Sequence, residues 1–344
     1  MQTARLYAAG DLRLESLPVP EAGPGDLVLR VLACGTCGTD VKVSRFGHQH
    51  ISLPRVIGHE VAGEIVAVGS GVDWSVGDRV QVIAAIPDGV CFQCRRGFET
   101  VCEDLESIGY QYDGGFAEFM RVPAKVLAVD GVNRIPDGLT PAEAAVTEPL
   151  ACVLNGQELV SVGAGDSVVV MGAGPIGCLH VRLARARGAS KVFLIDVNAA
   201  RLELAARLGA DALINASTVD PIAAVRDLTD GRGADVVITA AASKVAQEQA
   251  LSMAVARGRI SLFGGLPKDD SVIQSDSNVI HYRELSVVGS YGSAPRHNRE
   301  ALSLIASGTV PVADLITHRL PLDRVADALD LVARGEGIKV VIEP

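Results

Sequence analysis

Between residues 88 and 102 the chain reads DGVCFQCRRGFETVC, which sets Cys91, Cys94 and Cys102 close together with Asp88 three residues ahead of the first. Clustered thiolates suit a borderline-soft cation such as zinc, and a closed tetrahedral site takes four donors, so three cysteines leave one place to fill. Asp88 is the candidate for it. A second stretch, Gly172-Ala-Gly174-Pro175-Ile176-Gly177, has the G-x-G-x-x-G spacing that lets a pyrophosphate approach backbone N–H groups at the start of a helix. About twenty residues on, KVFLID ends in Asp196, where a carboxylate accepts hydrogen bonds from ribose hydroxyls and repels a 2′-phosphate. The nucleotide expected is therefore NAD rather than NADP. Arg201, five residues further, can reach the ribose from its other side, or be a solvated helix charge. Gly264, Gly265 and Leu266 follow a later strand and can meet the nicotinamide half through their backbone, or simply form a turn.

These residues need elements to hold them. Up to about residue 150 the chain carries short Val-rich runs broken by Gly, Pro and Asp: DLVLRVLACG, VAGEIVAVGSGV, DRVQVIAA and FAEFMRVP, the pattern of a β-rich domain. From about 165 apolar strands alternate with Ala/Leu/Arg-rich helical segments, SVVVM, PIGCLHVRLARARG, KVFLID, AARLELAARLG, DVVITA, VAQEQALSMAVARG and RISLFGG, which argues for a parallel sheet with helices on both faces. G-x-G-x-x-G falls at the first strand-to-helix turn of that alternation. The terminal GIKVVIEP reads as a strand able to pair back with the first domain.

Composition excludes other classes. The 344 residues are 48% hydrophobic and 4% aromatic, enough for substantial cores, and 41 acidic against 31 basic residues give a formal charge of −10. No run of Lys and Arg could track a phosphate backbone, so nucleic acid is not an expected partner. No stretch approaches the roughly 20 apolar residues that span a bilayer, and no signal segment opens the chain, so a cytoplasmic protein is expected. Seven cysteines are an odd number for disulfides and suit a reducing compartment. Cys34, Cys152 and Cys178 stand in apolar surroundings and read as core residues.

In the β-rich half, Cys37-Gly-Thr39-Asp40 precedes Gly58-His59-Glu60, and GHEVAGEIVAVGSGV resembles the zinc-containing alcohol dehydrogenase signature G-H-E-x2-G-x5-G-x2-V, with Gly63, Gly69 and Val72 in place. With GAGPIG, DVNAARLELA and GEGIKVVIEP, the chain resembles the zinc-dependent medium-chain dehydrogenase/reductase family over nearly its whole length. That resemblance implies a GroES-like β-barrel-type catalytic domain over 1–152 plus 290–344 and a Rossmann doubly wound parallel-sheet domain over 153–289. It makes Cys37, His59 and Glu148 of TEPLAC the ligands of a catalytic zinc, with Glu60 a neighbouring carboxylate and Thr39 the hydroxyl that begins a proton relay. Many members carry His five residues after the cysteine ligand, where this chain has Lys42; His48 and His50 are the loop histidines that could replace it. The family's structural-zinc lobe reads C-x2-C-x2-C-x7-C, and Asp88 falls on its first cysteine.

The implied chemistry is hydride transfer between an alcohol and NAD, with zinc making the substrate hydroxyl more acidic. The carboxylate ligand and low aromatic content favour a small polyol or secondary alcohol, with Ser44, Arg45 and Tyr110 to Tyr112 as polar groups within possible reach; an amino alcohol, as in L-threonine 3-dehydrogenase, is the alternative. A sensor that kept the fold and lost its chemistry would lack Cys37, His59 or Glu148, and all three are present. The apolar runs ISLFGG and ELSVVGS read as sheet edges open to a second chain, and relatives that pair there imply a homotetramer built on dimers, or a homodimer.

Overall fold

The computed structural model describes residues 1–344, and the chain separates into two compact units, one of residues 1–151 with 292–344 and the other of 152–291.

The first unit is built on a seven-stranded sheet ordered Val132–Arg134, Arg79–Val82, Glu60–Val68, Leu27–Gly35, Lys339–Ile342 and Ile316–Leu320, with Phe119–Val122 also pairing to Leu27–Gly35. Leu27–Gly35 is its axis. One edge pairs antiparallel with Glu60–Val68 along its length; the other is shared, residues 27–30 with Phe119–Val122 and residues 34–35 with the terminal strand. Partners on both edges satisfy the backbone, so the strand can be apolar nearly throughout, and Leu27, Leu29 and Val31 join Val61, Ile65, Val80, Phe116 and Met120 in one core. The short helix Pro141–Ala145, opened by a Thr140–Glu143 capping box, packs on both central strands and leads into the helix Thr147–Leu159.

A lobe leaves this unit between Ala85–Ile86 and Glu106–Ser107, two short strands that pair antiparallel and close its neck. Inside lie the helix Phe92–Arg95 and the 3-10 turn Glu99–Val101. Its bulky apolar residues face outward: Val90 is 67% exposed, Phe92 56%, Phe98 49% and Val101 53%. A segment without its own apolar core needs another source of order.

The second unit carries a six-stranded parallel sheet in the order Ala212–Asn215, Lys191–Asp196, Ser167–Met171, Ala234–Thr239, Ala254–Leu262 and Ser286–Gly289. Numbered within the unit this is 3-2-1-4-5-6, the doubly wound order that reverses between its first and fourth strands and binds nucleotides at the strands' carboxyl ends. Two expectations change. VAQEQALSMAVARG is a helix only as far as Met253; Ala254 opens a strand that pairs with Ala234, shifts register and passes through Arg257 at φ +63°. ISLFGG is no edge, because Ala254–Leu262 pairs on both sides and only Ser286–Gly289 ends the sheet there.

The second unit buries a histidine without charge. Gln157 Nε2 donates to the His180 carbonyl at 2.8 Å and meets Nδ1 at 3.3 Å, while Nε2 finds no partner and the ring stands edge-on to Phe263 at 4.7 Å. Burial, with the Arg187 charge adding to it, pushes this imidazole down to about 3. Below its ordinary value of 6.5 the unfolded chain takes up a proton that the folded one refuses, so stability is present above that pH and lost as pH falls toward the folded value. His180→Leu should flatten the acid side of the stability curve between pH 6.5 and 4.5 by up to roughly 1.4 kcal/mol per pH unit. Denaturant unfolding of both proteins across that range checks it; parallel curves would refute it.

Candidate functional site

In the first unit the register of the central strands brings distant residues together. Gly35 stands opposite Glu60, so Cys37 and His59 emerge at the same end of the sheet. Cys37 is the N-cap of the helix Gly38–Phe46: its Sγ accepts from Thr39 N at 3.4 Å, and its own N–H donates to Asp40 Oδ2 at 2.9 Å. The other oxygen of Asp40, itself 2% exposed, lies 3.2 Å from His59 Nδ1. A carboxylate placed behind an imidazole in this way is the usual support of a histidine that binds a metal. Burial works against a charge on His59, but Asp40 and Cys37 outweigh it and hold the imidazole well above its ordinary range.

Donor atoms of Cys37, His59 and Glu60 all lie within 4.8 Å of one another. Glu148, expected as the third ligand, stands outside that trio. It is 8% exposed in the first turn of Thr147–Leu159, and its charge is felt at both Glu60 and Lys339. Glu60 is ion-paired with Lys339, and both are almost wholly buried. Burial pushes the Glu60 carboxyl up to about 7, with Lys339 pulling it down and Glu148 raising it further. For Lys339, burial opposes the charge, yet Glu60 and Cys37 hold it above the ordinary lysine value. A thiolate, an imidazole and carboxylates converging in a buried pocket of charge are a donor set that suits zinc.

In the lobe, donor atoms of Asp88, Cys91, Cys94 and Cys102 also lie within 4.8 Å of one another. Asp88 Oδ1 accepts from Cys91 N at 2.9 Å and Val90 N at 2.8 Å, and these two bonds hold its carboxyl well below the usual range. The same carboxyl is also in hydrogen-bonding contact with the Cys94 and Cys91 thiols, so the four side chains face one another directly. The sulfurs are cradled as metal-bound thiolates are: Asp88 N donates to Cys102 Sγ at 3.2 Å and Cys94 N to Cys91 Sγ at 3.4 Å. Burial pushes the Cys94 and Cys102 thiols up, so a cation is what would bring these two to the thiolate form.

In the second unit Gly172 takes φ +115°, and a Cβ on Gly177 would overlap the Gly172 carbonyl oxygen, so both glycines are required by the turn itself. Gly174 faces open space, and no side chain caps the helix Pro175–Ala186 that it begins. Free N–H groups beside an open cradle suit a pyrophosphate. Pro175 at the first helical position contributes no N–H, and Ile176 follows it in the first turn. Asp196 Oδ2 accepts from Ala173 N at 2.6 Å and Oδ1 from Asn198 N at 2.8 Å, which ties the carboxylate to the glycine turn. Arg201 lies in the helix Ala199–Ala205 and its charge reaches Cys178. Gly264 bonds Thr239 O through its N–H and accepts from Gln247 at its carbonyl, while Gly265 is open and Leu266 half-buried.

Other expected groups are engaged elsewhere. Ser44 Oγ donates to Val41 O, Arg45 pairs with Asp330, Tyr112 bonds Glu106, and Gln111 accepts from Ser107 N. Lys42, His48 and His50 are exposed, and Cys34 and Cys178 are buried, with Cys152 half-buried. Asp40 and Lys339 were missed. Asp40 stands in the CGTD motif beside a candidate ligand, and Lys339 is the single charge of an otherwise apolar strand, a signal of a buried partner.

Residues 23–133 match the model of the alcohol dehydrogenase GroES-like domain, and residues 175–307 that of the zinc-binding dehydrogenase domain. The chain is 36% identical to an L-threonine 3-dehydrogenase of Pyrococcus abyssi over 99% of its own length and 97% of the relative's, and 31% identical to a sorbitol dehydrogenase of Bacillus subtilis over 100% and 97%. A Sinorhizobium meliloti protein described as a zinc-binding dehydrogenase and crystallised with NADP superposes with a TM-score of 0.92 at 35% identity, covering 100% of this chain and 99% of that one. No helix is long and apolar enough to cross a membrane. With donors suited to zinc in one unit and a nucleotide cradle in the other, the chain belongs to the zinc-dependent medium-chain dehydrogenase/reductase family.

Proposed function

We propose that this dehydrogenase oxidises a small polyol or secondary alcohol with NAD. The convergence of Cys37, His59 and Glu60 beside Glu148 carries the reading. Zinc held there would supply a Lewis acid for the substrate oxygen, and bound NAD would supply the hydride acceptor. Cys37 and His59 would hold the metal with Glu148 as the third donor, Asp40 would orient His59, and the Thr39 hydroxyl would take the departing proton toward water. Gly172, Gly174 and Gly177 seat the pyrophosphate, Asp196 and Arg201 the ribose, and Gly264 to Leu266 the nicotinamide side. An amino-alcohol substrate is the second reading, favoured by the Pyrococcus relative.

Kinetics on sorbitol, xylitol, butane-2,3-diol and L-threonine with each nucleotide tests this. With Asp196 in place kcat/KM should be at least ~10²-fold higher with NAD than with NADP, about 2.7 kcal/mol, and Asp196→Ala should shrink the ratio. Cys37→Ser and His59→Ala should abolish turnover and leave NAD binding nearly intact. Turnover by zinc-free protein at the full rate would end the reading; threonine outpacing every polyol would move it to the second.

We also assign Asp88, Cys91, Cys94 and Cys102 to a structural zinc, supported by the mutual approach of their four donor atoms. Metal analysis should then find two zinc ions per chain. Asp88→Ala should lower this toward one and loosen the lobe more than it slows turnover, and Asp88→Cys should keep two. A lobe without zinc in wild-type protein would leave Asp88 a turn residue.

The homotetramer is supported by the unpaired Ser286–Gly289 edge, where Val287 is exposed. Light scattering should give four chains per particle, and a monomer would overturn the assignment.

A further inference from the structure

Two carboxylates compete for one place beside Cys37 and His59. The resemblance gives the third donor to Glu148, yet Glu60 is the residue whose oxygen lies within 4.8 Å of the other two donors. A buried carboxylate so close to a dication joins its shell unless something else holds it. Lys339 does. Its Nζ is ion-paired to Glu60 Oε2 and donates to the Thr36 carbonyl at 2.8 Å, and the side chain is all but inaccessible.

The lysine is itself fixed. Thr36 N and Oγ1 both donate to Val340 O, at 3.0 and 2.8 Å, which clamps the strand carrying Lys339 to the turn carrying Cys37. The pair lies against bare backbone at Gly35, where a Cβ would overlap Glu60 Oε2 and stand 3.0 Å from Lys339 Cε. Charge follows the same division. Thiolate Cys37 and Glu148 together balance a dication, and Lys339 balances Glu60.

We propose that Lys339 is a positioning residue that keeps Glu60 out of the zinc's shell, so that Glu148 is the third donor and one position stays open to substrate. This rests on the zinc reading above, and metal analysis separates the two: if Cys37→Ser removes no zinc, that reading fails before this one is tested. Lys339→Met keeps the stem and removes the cation, which frees Glu60 to close the shell. Zinc should then be lost to a chelator roughly tenfold to a hundredfold more slowly, and the visible bands of cobalt-substituted protein should shift and stop responding to added alcohol. Lys339→Arg should keep the wild-type release rate. The double variant Glu60→Gln/Lys339→Met should return to it, which a lysine with a merely structural role would not produce. If Lys339→Met does not fold, Lys339→Gln carries the same comparison. Unchanged or faster zinc release from the single variant, in protein that binds zinc through Cys37, overturns the proposal.

Discussion

Everything at the candidate metal centre depends on one antiparallel register. Because Gly35 faces Glu60 across the central strands, the turn after one strand and the turn before the other deliver Cys37 and His59 to the same point. A slip of one residue would send His59 to the opposite face. The register is secured by apolar side chains on both strands, and a Cβ on Gly63 would lie 2.6 Å from the Arg30 carbonyl, so the two backbones meet there without room for a side chain. The helix Pro141–Ala145, seated on the same pair of strands, passes this accuracy on to Glu148.

The two units solve the problem of holding charge away from water in different ways. The first uses side chains in matched sets: Asp40 serves both the helix N-terminus and His59, and Lys339 serves Glu60. Such sets are costly if one member is missing, since a lone buried ion has nothing to replace its lost hydration. The second unit uses the backbone, offering unpaired N–H groups and a glycine-shaped space and committing a single carboxylate, Asp196, to tie the turn down. Backbone donors do not titrate, so this cradle keeps its polarity over a wide pH range.

Local pattern made the second unit the more legible half. SVVVM and KVFLID coincide with Ser167–Met171 and Lys191–Asp196, because a parallel strand buried on both faces is a short continuous apolar run. The helix misread beyond Met253 failed where Ala254 to Gly258 carry no period and only the pairing with Ala234 decides. In the first unit the CGTD and GHE motifs pointed to the pocket, but not to which carboxylate stands nearest. That depends on Lys339, whose partner is 279 positions away by number (339 less 60) and declares itself only in three dimensions.

That separation also has a meaning in time. Thr36 and Lys339 are 303 residues apart, and at about 5–20 residues/s a ribosome needs roughly 15–60 s to pass from one to the other. The whole of residues 152–291 leaves the ribosome in that interval and holds every strand of its own sheet. The nascent first unit meanwhile exposes an unpaired end of Leu27–Gly35 and a Glu60 with no lysine beside it. The ion pair that fixes Glu60 is thus closed only after residues 152–291 have been made.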